Sequence, residues 1–403
     1  MADGFIVRRG GVATEQTALP SILDFSTASA TSIKFKLRNN DSVAATLVYR
    51  FGTVTGDGES ISVAANTTTA EITLTVPTIT APTKLFVTAN ATGKVKSEVA
   101  EQEFEPPIIY TAATGGTTEE YDDGGKRYKS HTFTSNGTFE VTTVGNGDRN
   151  QVDYLIIAGG GGNGGFVSGG GGAGGYRTTI SPTPSDVSPN AKVTVTATSY
   201  GVTIGAGGSG GTDADDITRK GVSGSNSSIA FPSTIIATGG GGAGASGTAS
   251  GVGDALSGGS GGGGGGGGAG TGGTGTSGQG RNGGNGVDFS GQGGAGGGGG
   301  AGAVGANASN SVGANGGNGL ANTLRDGTSE TRAGGGGGGG RNSAANGGAG
   351  GTGGGGNGAG NNQSSTNGTA NTGGGAGGSI NNFEPRSGGS GIVVIRYEIA
   401  PSV

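Results

Sequence analysis

Hydrophobic and polar residues alternate with a period of two in several short stretches of the first quarter of the chain. In residues 32–37, Ile33, Phe35 and Leu37 fall on one face, and polar residues occupy the other. Comparable stretches follow at 45–51, 71–76, 84–89 and 94–99. Alternation at this spacing is typical of a β-sandwich. We therefore predict an all-β domain over residues 21–104.

The character of the sequence changes after this domain. Residues 105–127 contain a proline pair, two glycine pairs and the acidic stretch 119–123. Composition of this kind predicts a linker. The carboxylates of the acidic stretch could hold a metal ion, but solvated side chains are the commoner outcome in such a segment, and we predict no metal site.

Two apolar strands enclose a glycine-rich region within the predicted third part, residues 128–403. Residues 128–133 and 138–142 flank Ser135-Asn136-Gly137, which indicates a β-hairpin. Residues 152–158 run directly into a glycine block, and residues 392–397 follow the last one. We expect these two strands to pair in one sheet and to close a folded domain.

Glycine dominates the region between those two strands, and the whole chain contains 102 glycines among 403 residues. A flexible linker is the first alternative for such a composition. The glycine blocks recur with similar lengths, however, and the spacers carry apolar residues. The uninterrupted glycines at 261–268 exclude collagen, which needs a strict three-residue repeat. A calcium-binding β-roll needs a regularly placed Asp, which is missing here.

A bundle of polyglycine II helices remains as the predicted fold of this region. Such a helix has three residues per turn and no internal hydrogen bonds, so its backbone groups all point sideways. Neighbouring helices can satisfy these groups, and an interior helix leaves no room for a Cβ atom. The predicted fold class is therefore an all-β N-terminal sandwich, a small β region and a polyglycine II bundle, with essentially no α-helix.

Composition excludes several kinds of chemistry. The chain has no cysteine and one histidine, His131, which lies in a predicted strand. We therefore expect no disulfide, no catalytic centre and no cofactor. The thinly spread net charge of -5 argues against a nucleic-acid partner. No signal peptide or transmembrane segment can be read in the sequence, so we expect a soluble protein.

Several segments resemble known virion proteins. Residues 152–165 (VDYLIIAGGGGNGG), 169–177 (GGGGAGGYR), 277–286 (SGQGRNGGNG) and 388–397 (GGSGIVVIRY) resemble the glycine-rich domain of bacteriophage tail fibres and adhesins. The lead-in at 130–139 belongs to the same pattern. The stretch 79–89, in which Phe86 replaces the usual tyrosine, resembles the closing half of a fibronectin type III module. The resemblance implies a polyglycine II domain whose tip loops contact a receptor on the bacterial host, either an outer-membrane protein or a glycan.

The first residues resemble the start of phage virion fibre proteins. This resemblance implies that residues 1–20 dock to other virion proteins, with Phe5, Ile6, Val7, Arg8 and Arg9 as the candidate docking residues. It also implies a position on the virion surface and, since fibres are often trimeric, a homotrimer. The expected function is that of a tail fibre or tail-tip adhesin. A capsid or tail decoration protein and an ice-binding protein are the alternatives.

Aromatic and charged side chains are rare in the glycine-rich region and fall between its blocks. Loops on a rigid scaffold commonly carry recognition, and aromatic and Arg residues commonly anchor interfaces. The candidate receptor-binding residues are Phe289, Arg325, Asp326, Arg332, Phe383 and Arg386. If the glycine runs alternate in direction, only part of these turns can share one end.

Overall fold

The computed structural model describes most of the chain and divides it into two compact units. Unit 1 is Met1–Ile109 and unit 2 is Tyr110–Val403. The described residues are 6–9, 12–29, 31–52, 58–76, 82–184, 188–212, 219–246, 251–288, 293–341, 346–360, 363–380 and 385–402.

Strands account for nearly all of the regular secondary structure. Unit 1 contains β1 (Ile6–Arg9), β2 (Val12–Glu15), β3 (Ser21–Ser29), β4 (Ser32–Arg38), β5 (Ala45–Phe51), β6 (Glu59–Val63), β7 (Ile72–Thr75), β8 (Thr83–Ala91) and β9 (Ala100–Phe104). Unit 2 contains β10 (Ala112–Thr114), β11 (Thr117–Asp123), β12 (Lys126–Phe133), β13 (Gly137–Thr143), β14 (Gln151–Ile157), β15 (Tyr176–Thr178), β16 (Val193–Thr194), β17 (Ser199–Thr203), β18 (Ser227–Ile229), β19 (Ile235–Ala237), β20 (Leu320–Asn322), β21 (Glu330–Arg332) and β22 (Ile392–Ile399). A short 3₁₀ turn spans Gly147–Asn150. Strands thus dominate the described part of the chain, and an all-β fold with essentially no α-helix is confirmed.

Unit 1 is a sandwich of two antiparallel sheets. Strands β3, β4 and β7 form one sheet, and strands β6, β5, β8 and β9 form the other. Ile33, Phe35 and Leu37 are fully buried between the sheets, as the alternation predicted. Phe35 meets Tyr49 of the opposite sheet edge-to-face, with 5.4 Å between ring centroids. The likeness to a fibronectin type III module stays a prediction.

The predicted linker over residues 105–127 differs from the structure. Strands β10 and β11 lie within it, and β12 begins at its end. Strand β11 pairs with β12 along its whole length, so Glu120 lies opposite Lys129 and Asp122 lies opposite Arg127. Opposite charges across an antiparallel pair stabilise it. Taken alone, the acidic stretch is typical of a linker, because its basic partners lie in the next strand. Unit 2 begins at Tyr110 rather than at residue 128.

Two sheets of unit 2 enclose its hydrophobic core. One is six-stranded, with the order β11-β12-β22-β14-β15 and with β16 paired to β14 beside this path, and the other has the order β10-β13-β17-β18-β19. The predicted pairing of the two enclosing strands is confirmed, with Ile157 opposite Ile392 and Leu155 opposite Val394. Side chains of both sheets, among them Phe139 and Ile395, fill the space between them.

His131 is part of this core. Its Nδ1 lies 2.6 Å from the carbonyl oxygen of Gly115, and its Nε2 lies 3.1 Å from the hydroxyl of Tyr397. Nδ1 must carry the proton to donate to the carbonyl, so Nε2 accepts from Tyr397, whose oxygen accepts in turn from the amide of Ala113. Burial lowers the pKa of His131, and the nearby charge of Lys129 acts in the same direction.

We expect this histidine to make unit 2 less stable in mild acid. The unfolded chain takes up a proton near pH 6.5, whereas the folded chain takes it up only at a lower pH. Stability from the neutral imidazole is therefore complete above pH 6.5 and falls as the pH drops towards the folded pKa. Urea unfolding between pH 7.5 and 5 should show this loss, and His131→Gln should flatten that slope. An unchanged slope in the variant would assign the pH dependence to other groups.

The glycine runs form a bundle of extended helices with a three-residue period. In the run 169–175, amide groups at 169, 172 and 175 donate to the run 238–244. The amides of 170 and 173 donate to residues 296 and 299, and those of 171 and 174 donate to residues 376 and 373. Successive N–H groups thus point in three directions, as three residues per turn require.

Carbonyl groups of the same run bind three further runs. The carbonyls of 170 and 173 accept from 263 and 260, those of 168 and 171 accept from 339 and 336, and those of 172 and 175 accept from 161 and 158. Six neighbours therefore surround this central run, and these bonds use all seven of its N–H groups and five of its seven carbonyl groups. This arrangement is the polyglycine II bundle expected from the sequence.

Close packing explains the glycine content of the bundle. A Cβ atom built on Gly170 or Gly171 would lie 2.0 Å from a carbonyl oxygen of a neighbouring run. Alanines occur where the bundle meets the six-stranded sheet. Ala173, Ala301 and Ala333 are fully buried there against apolar side chains such as Leu155 and Val394.

Within the part of the chain that the structure describes, no helix has the length and apolar character needed to cross a lipid bilayer.

Candidate functional site

The bundle has two unlike ends. We call the end at which residues 158, 175, 238 and 391 join strands the sheet end, and the opposite one the far end. Two residues that hydrogen-bond across neighbouring runs lie at the same height along the bundle axis. The hydrogen bonds therefore show at which end of the bundle each turn lies. The far end contains the turns 166–168, 267–269 and 309–312, and the described residues that flank 213–218, 247–250, 289–292, 342–345, 361–362 and 381–384.

The turn 166–168 lies at the centre of the far end. The carbonyl of Phe166 accepts from Ser246, and the amide of Val167 donates to Ile380. Phe166 and Val167 have φ angles of 37° and 36°, which are rare for residues other than glycine. The guanidinium of Arg341 lies 4.5 Å from the ring centroid of Phe166. These bonds fix an aromatic side chain and a cation in the middle of this end.

Among the predicted receptor-binding residues, Arg386 lies at the far end. It is half-buried, its amide donates to Asn163 Oδ1, and its Nε donates to Ser365 Oγ at 3.2 Å. Phe289 and Phe383 lie outside the described residues. Residues 288 and 293, which flank Phe289, and residues 380 and 385, which flank Phe383, are at the far end.

Arg325 and Asp326 belong to the sheet end instead. Their turn connects β20 and β21, and it packs on β11 and β12, where the Tyr121 hydroxyl donates to the carbonyl of Leu324 at 2.7 Å. Burial acts to raise the pKa of Asp326, but hydrogen bonds from Thr328 and Arg325 outweigh it and bring the pKa to about 2. Both side chains are thus occupied in holding this turn.

Arg332 is buried at the sheet end, with 2% of its surface exposed, and it forms an ion pair with Glu330. A buried guanidinium cannot contact a receptor, so Arg332 does not fit the predicted role. The reason lies in the register of β20 and β21, which places Arg332 opposite Leu320 and against the hydrophobic layer under the bundle.

The candidate docking residues belong to a hairpin. Ile6–Arg9 form β1, which pairs with β2, and Phe5 lies outside the described residues. The chain after the hairpin is fixed to the sandwich, because Thr17 donates to the carbonyl of Val95 at 2.8 Å. Docking to a virion stays a prediction.

The described residues contain no group of three or more His, Asp or Glu side chains arranged to hold a metal ion. In the acidic stretch, Glu120 pairs with Arg127 and Asp123 pairs with Arg396.

Comparison with protein families agrees with this architecture. A family model described as a glycine-rich domain matches residues 133–398, about two thirds of the chain. The chain belongs to the glycine-rich domain family. The matched region begins at the end of β12 and ends within β22, so the glycine-rich domain comprises the bundle together with the strands that close it. A comparison with curated proteins gave no match.

Phe166 and Arg341 of the glycine-rich domain were not among the predicted residues. Phe166 could have been found from the sequence, because it is an isolated aromatic residue between two neighbouring glycine blocks. Nothing comparable marks Arg341, whose place beside Phe166 depends on how distant runs pack.

Proposed function

We propose that this chain is a bacteriophage virion structural protein, a tail fibre or tail-tip adhesin, that binds a host receptor with the far end of its glycine-rich domain. The difference between the two ends supports this proposal. One end is covered by the six-stranded sheet, whereas the other carries the pair of Phe166 and Arg341 among the turns that connect the runs. Binding residues commonly lie on turns that a rigid scaffold positions.

The proposal includes the remaining expectations from the sequence. The N-terminal hairpin docks to other virion proteins, the protein lies on the virion surface as a homotrimer, and it acts without catalysis, cofactor or nucleic acid. Its receptor is an outer-membrane protein or a glycan of the bacterial host. Phe289, Phe383 and Arg386 remain candidate contacts, and Phe166 and Arg341 join them.

Arginine substitutions at the two ends of the bundle test this proposal. We expect Arg341→Ala and Arg386→Ala to weaken binding of the protein to host cells at least tenfold, because truncating an interface anchor commonly costs that much. Arg325→Ala, at the sheet end, is the matched control and should bind normally. Binding is measured with labelled protein, and folding is checked by thermal unfolding.

Normal binding of both far-end variants would contradict the proposed site. If the unsubstituted protein binds virions but no cells, a capsid or tail decoration protein is the better assignment.

A further inference from the structure

Outward side chains of the glycine bundle recur at every third residue. A helix with three residues per turn places residues i and i+3 on the same face. Thr271 and Thr274, Asn282 and Asn285, Asn315 and Asn318, and Ala349 and Thr352 are such pairs, each enclosing two glycines, and all eight residues are exposed. The repeat X-Gly-Gly-X therefore marks a run on the surface of the bundle.

Asparagines of these surface runs bind backbone amides of the adjacent run. The amide of Gly272 donates to Asn285 Oδ1 at 2.9 Å, and that of Gly275 donates to Asn282 Oδ1 at 2.9 Å. In the interior, amides donate instead to the backbone carbonyls of a neighbouring run. A surface run has no further run on its outer side to supply a backbone carbonyl. The Oδ1 atom of an asparagine side chain, which is itself an amide, accepts the hydrogen bond in place of that carbonyl.

The same contact occurs in several other grooves between surface runs. Ala349 and Thr352 donate to Asn315 and Asn318 at 2.8 and 3.1 Å. The further amide-to-asparagine contacts are Gly239 to Asn226, Asn285 to Asn307, Gly350 to Asn357 and Ser387 to Asn367. A carboxylate serves equally well, since Thr271 donates to Asp254 Oδ1 at 2.9 Å.

An unfilled groove would attract another glycine run. It would present amide groups at three-residue intervals, about 9 Å apart, and this spacing matches the carbonyl groups of any polyglycine II helix. A second copy of this chain carries such helices on its own surface. Exposed edges of β-sheets cause association for the same reason, and proteins protect them.

We propose that the surface asparagines terminate the hydrogen-bonded lattice and thereby prevent lateral association of glycine bundles from different copies. They fill the grooves in which a glycine run of a second copy would dock. This role is independent of receptor binding, and it leaves other surfaces free for assembly of an oligomer.

Val304 provides a test in the opposite direction. Gly305 donates to the carbonyl of Asn282, and Ala308 donates to that of Asn285. Val304 therefore lies beside the Asn282 amide in the same position that Asn307 occupies beside the Asn285 amide, to which Asn307 offers its Oδ1. Valine offers no acceptor in that place, and Val304 is 60% exposed. We expect Val304→Asn to add the missing contact and to slow hydrogen exchange at the Asn282 amide.

Hydrogen exchange and sedimentation of the full chain test the proposal together. In Asn282→Ala/Asn285→Ala, exchange at Gly272 and Gly275 should become about five to ten times faster, the loss expected for one hydrogen bond. Gly273, which donates to the carbonyl of Gly262, should be unchanged. The control Asn282→Asp/Asn285→Asp keeps an acceptor at both positions and should exchange like the unsubstituted chain.

Asn282→Gly/Asn285→Gly opens the groove and should produce larger species in sedimentation velocity as the protein concentration rises, compared with the unsubstituted chain. Unaltered sedimentation at every concentration would overturn the proposal, as would unaltered exchange in the alanine variant. If the glycine variant does not fold, Asn315→Gly/Asn318→Gly in a separate groove decides the same question.

Discussion

Gly171→Ala is expected to prevent unit 2 from folding stably. The new Cβ would lie 2.0 Å from the carbonyl oxygen of Gly161, and the obstructing atom belongs to a backbone that is itself hydrogen-bonded on several sides. Overpacking typically costs about 1–3 kcal/mol where side chains can shift. Because no side chain can yield here, we expect a loss of at least about 3 kcal/mol in the free energy of unfolding, measured by urea denaturation.

Gly201→Ala is the matched control. Gly201 lies in β17, and the nearest atom to its added Cβ is the Cβ of Ala230 at 4.0 Å, an ordinary contact. This variant should unfold at nearly the same urea concentration as the unsubstituted chain. Equal stability of Gly171→Ala would mean that the bundle can widen locally, and the six-neighbour packing would then be wrong.

Arg396→Met should be nearly as damaging. Arg396 is 6% exposed and lies on β22, where its Nε donates to Asp153 and its Nη1 donates to Tyr121 and to Asp123 at 2.8 Å. Its guanidinium also lies 4.2 Å from the ring centroid of Tyr128. Removing one member of a buried pair commonly costs about 3–5 kcal/mol, and here it leaves the buried carboxylate of Asp153 with the half-exposed Lys192 as its remaining cationic partner. Calorimetry of unit 2 should show a correspondingly lower melting temperature.

Lys192→Met is the control variant against which the loss of stability in Arg396→Met is compared. Lys192 binds the same carboxylate at 3.2 Å, but its side chain is 47% exposed, so Lys192→Met should cost less than about 1 kcal/mol. Asp153→Asn introduced into Arg396→Met should recover part of the lost stability, because it removes a buried carboxylate whose remaining partner, Lys192, is half-exposed. If the two single variants cost the same, burial of the ion pair is not the source of the effect.

The elements that the sequence predicted well are those whose signal is local. Alternation at Ile33, Phe35 and Leu37 fixes which face of β4 is buried, and a run of apolar residues identifies β14. The bundle could be predicted for a different reason. Only glycine, which has no Cβ atom, allows the backbone of a neighbouring run to come so close. A chain of uninterrupted glycine blocks with an apolar strand at each end can therefore pack in few ways.

The features that could not be predicted from the sequence depend on contacts between residues that are distant along the chain. Arg325 lies at the sheet end and Arg386 at the far end because of the directions of all the runs that precede them. If one run were reversed, the turns after it would move to the opposite ends. Arg332 reads as an exposed loop residue until the pairing of β20 with β21 turns it inward. The acidic stretch reads as a linker until its basic partners in β12 are in place.

The central position of the run 169–175 has a consequence for synthesis of the protein. Gly171 binds Ala376, half a chain length later, and β14 pairs with β22, the last strand. Contacts between such distant residues slow folding, because long loops must close first. Unit 1 can fold while the ribosome is still translating, whereas the glycine run must remain without its full set of partners until residue 376 has emerged, and β14 must wait for β22. Premature termination between the end of unit 1 and β22 therefore releases a chain with a folded first unit and an open second one.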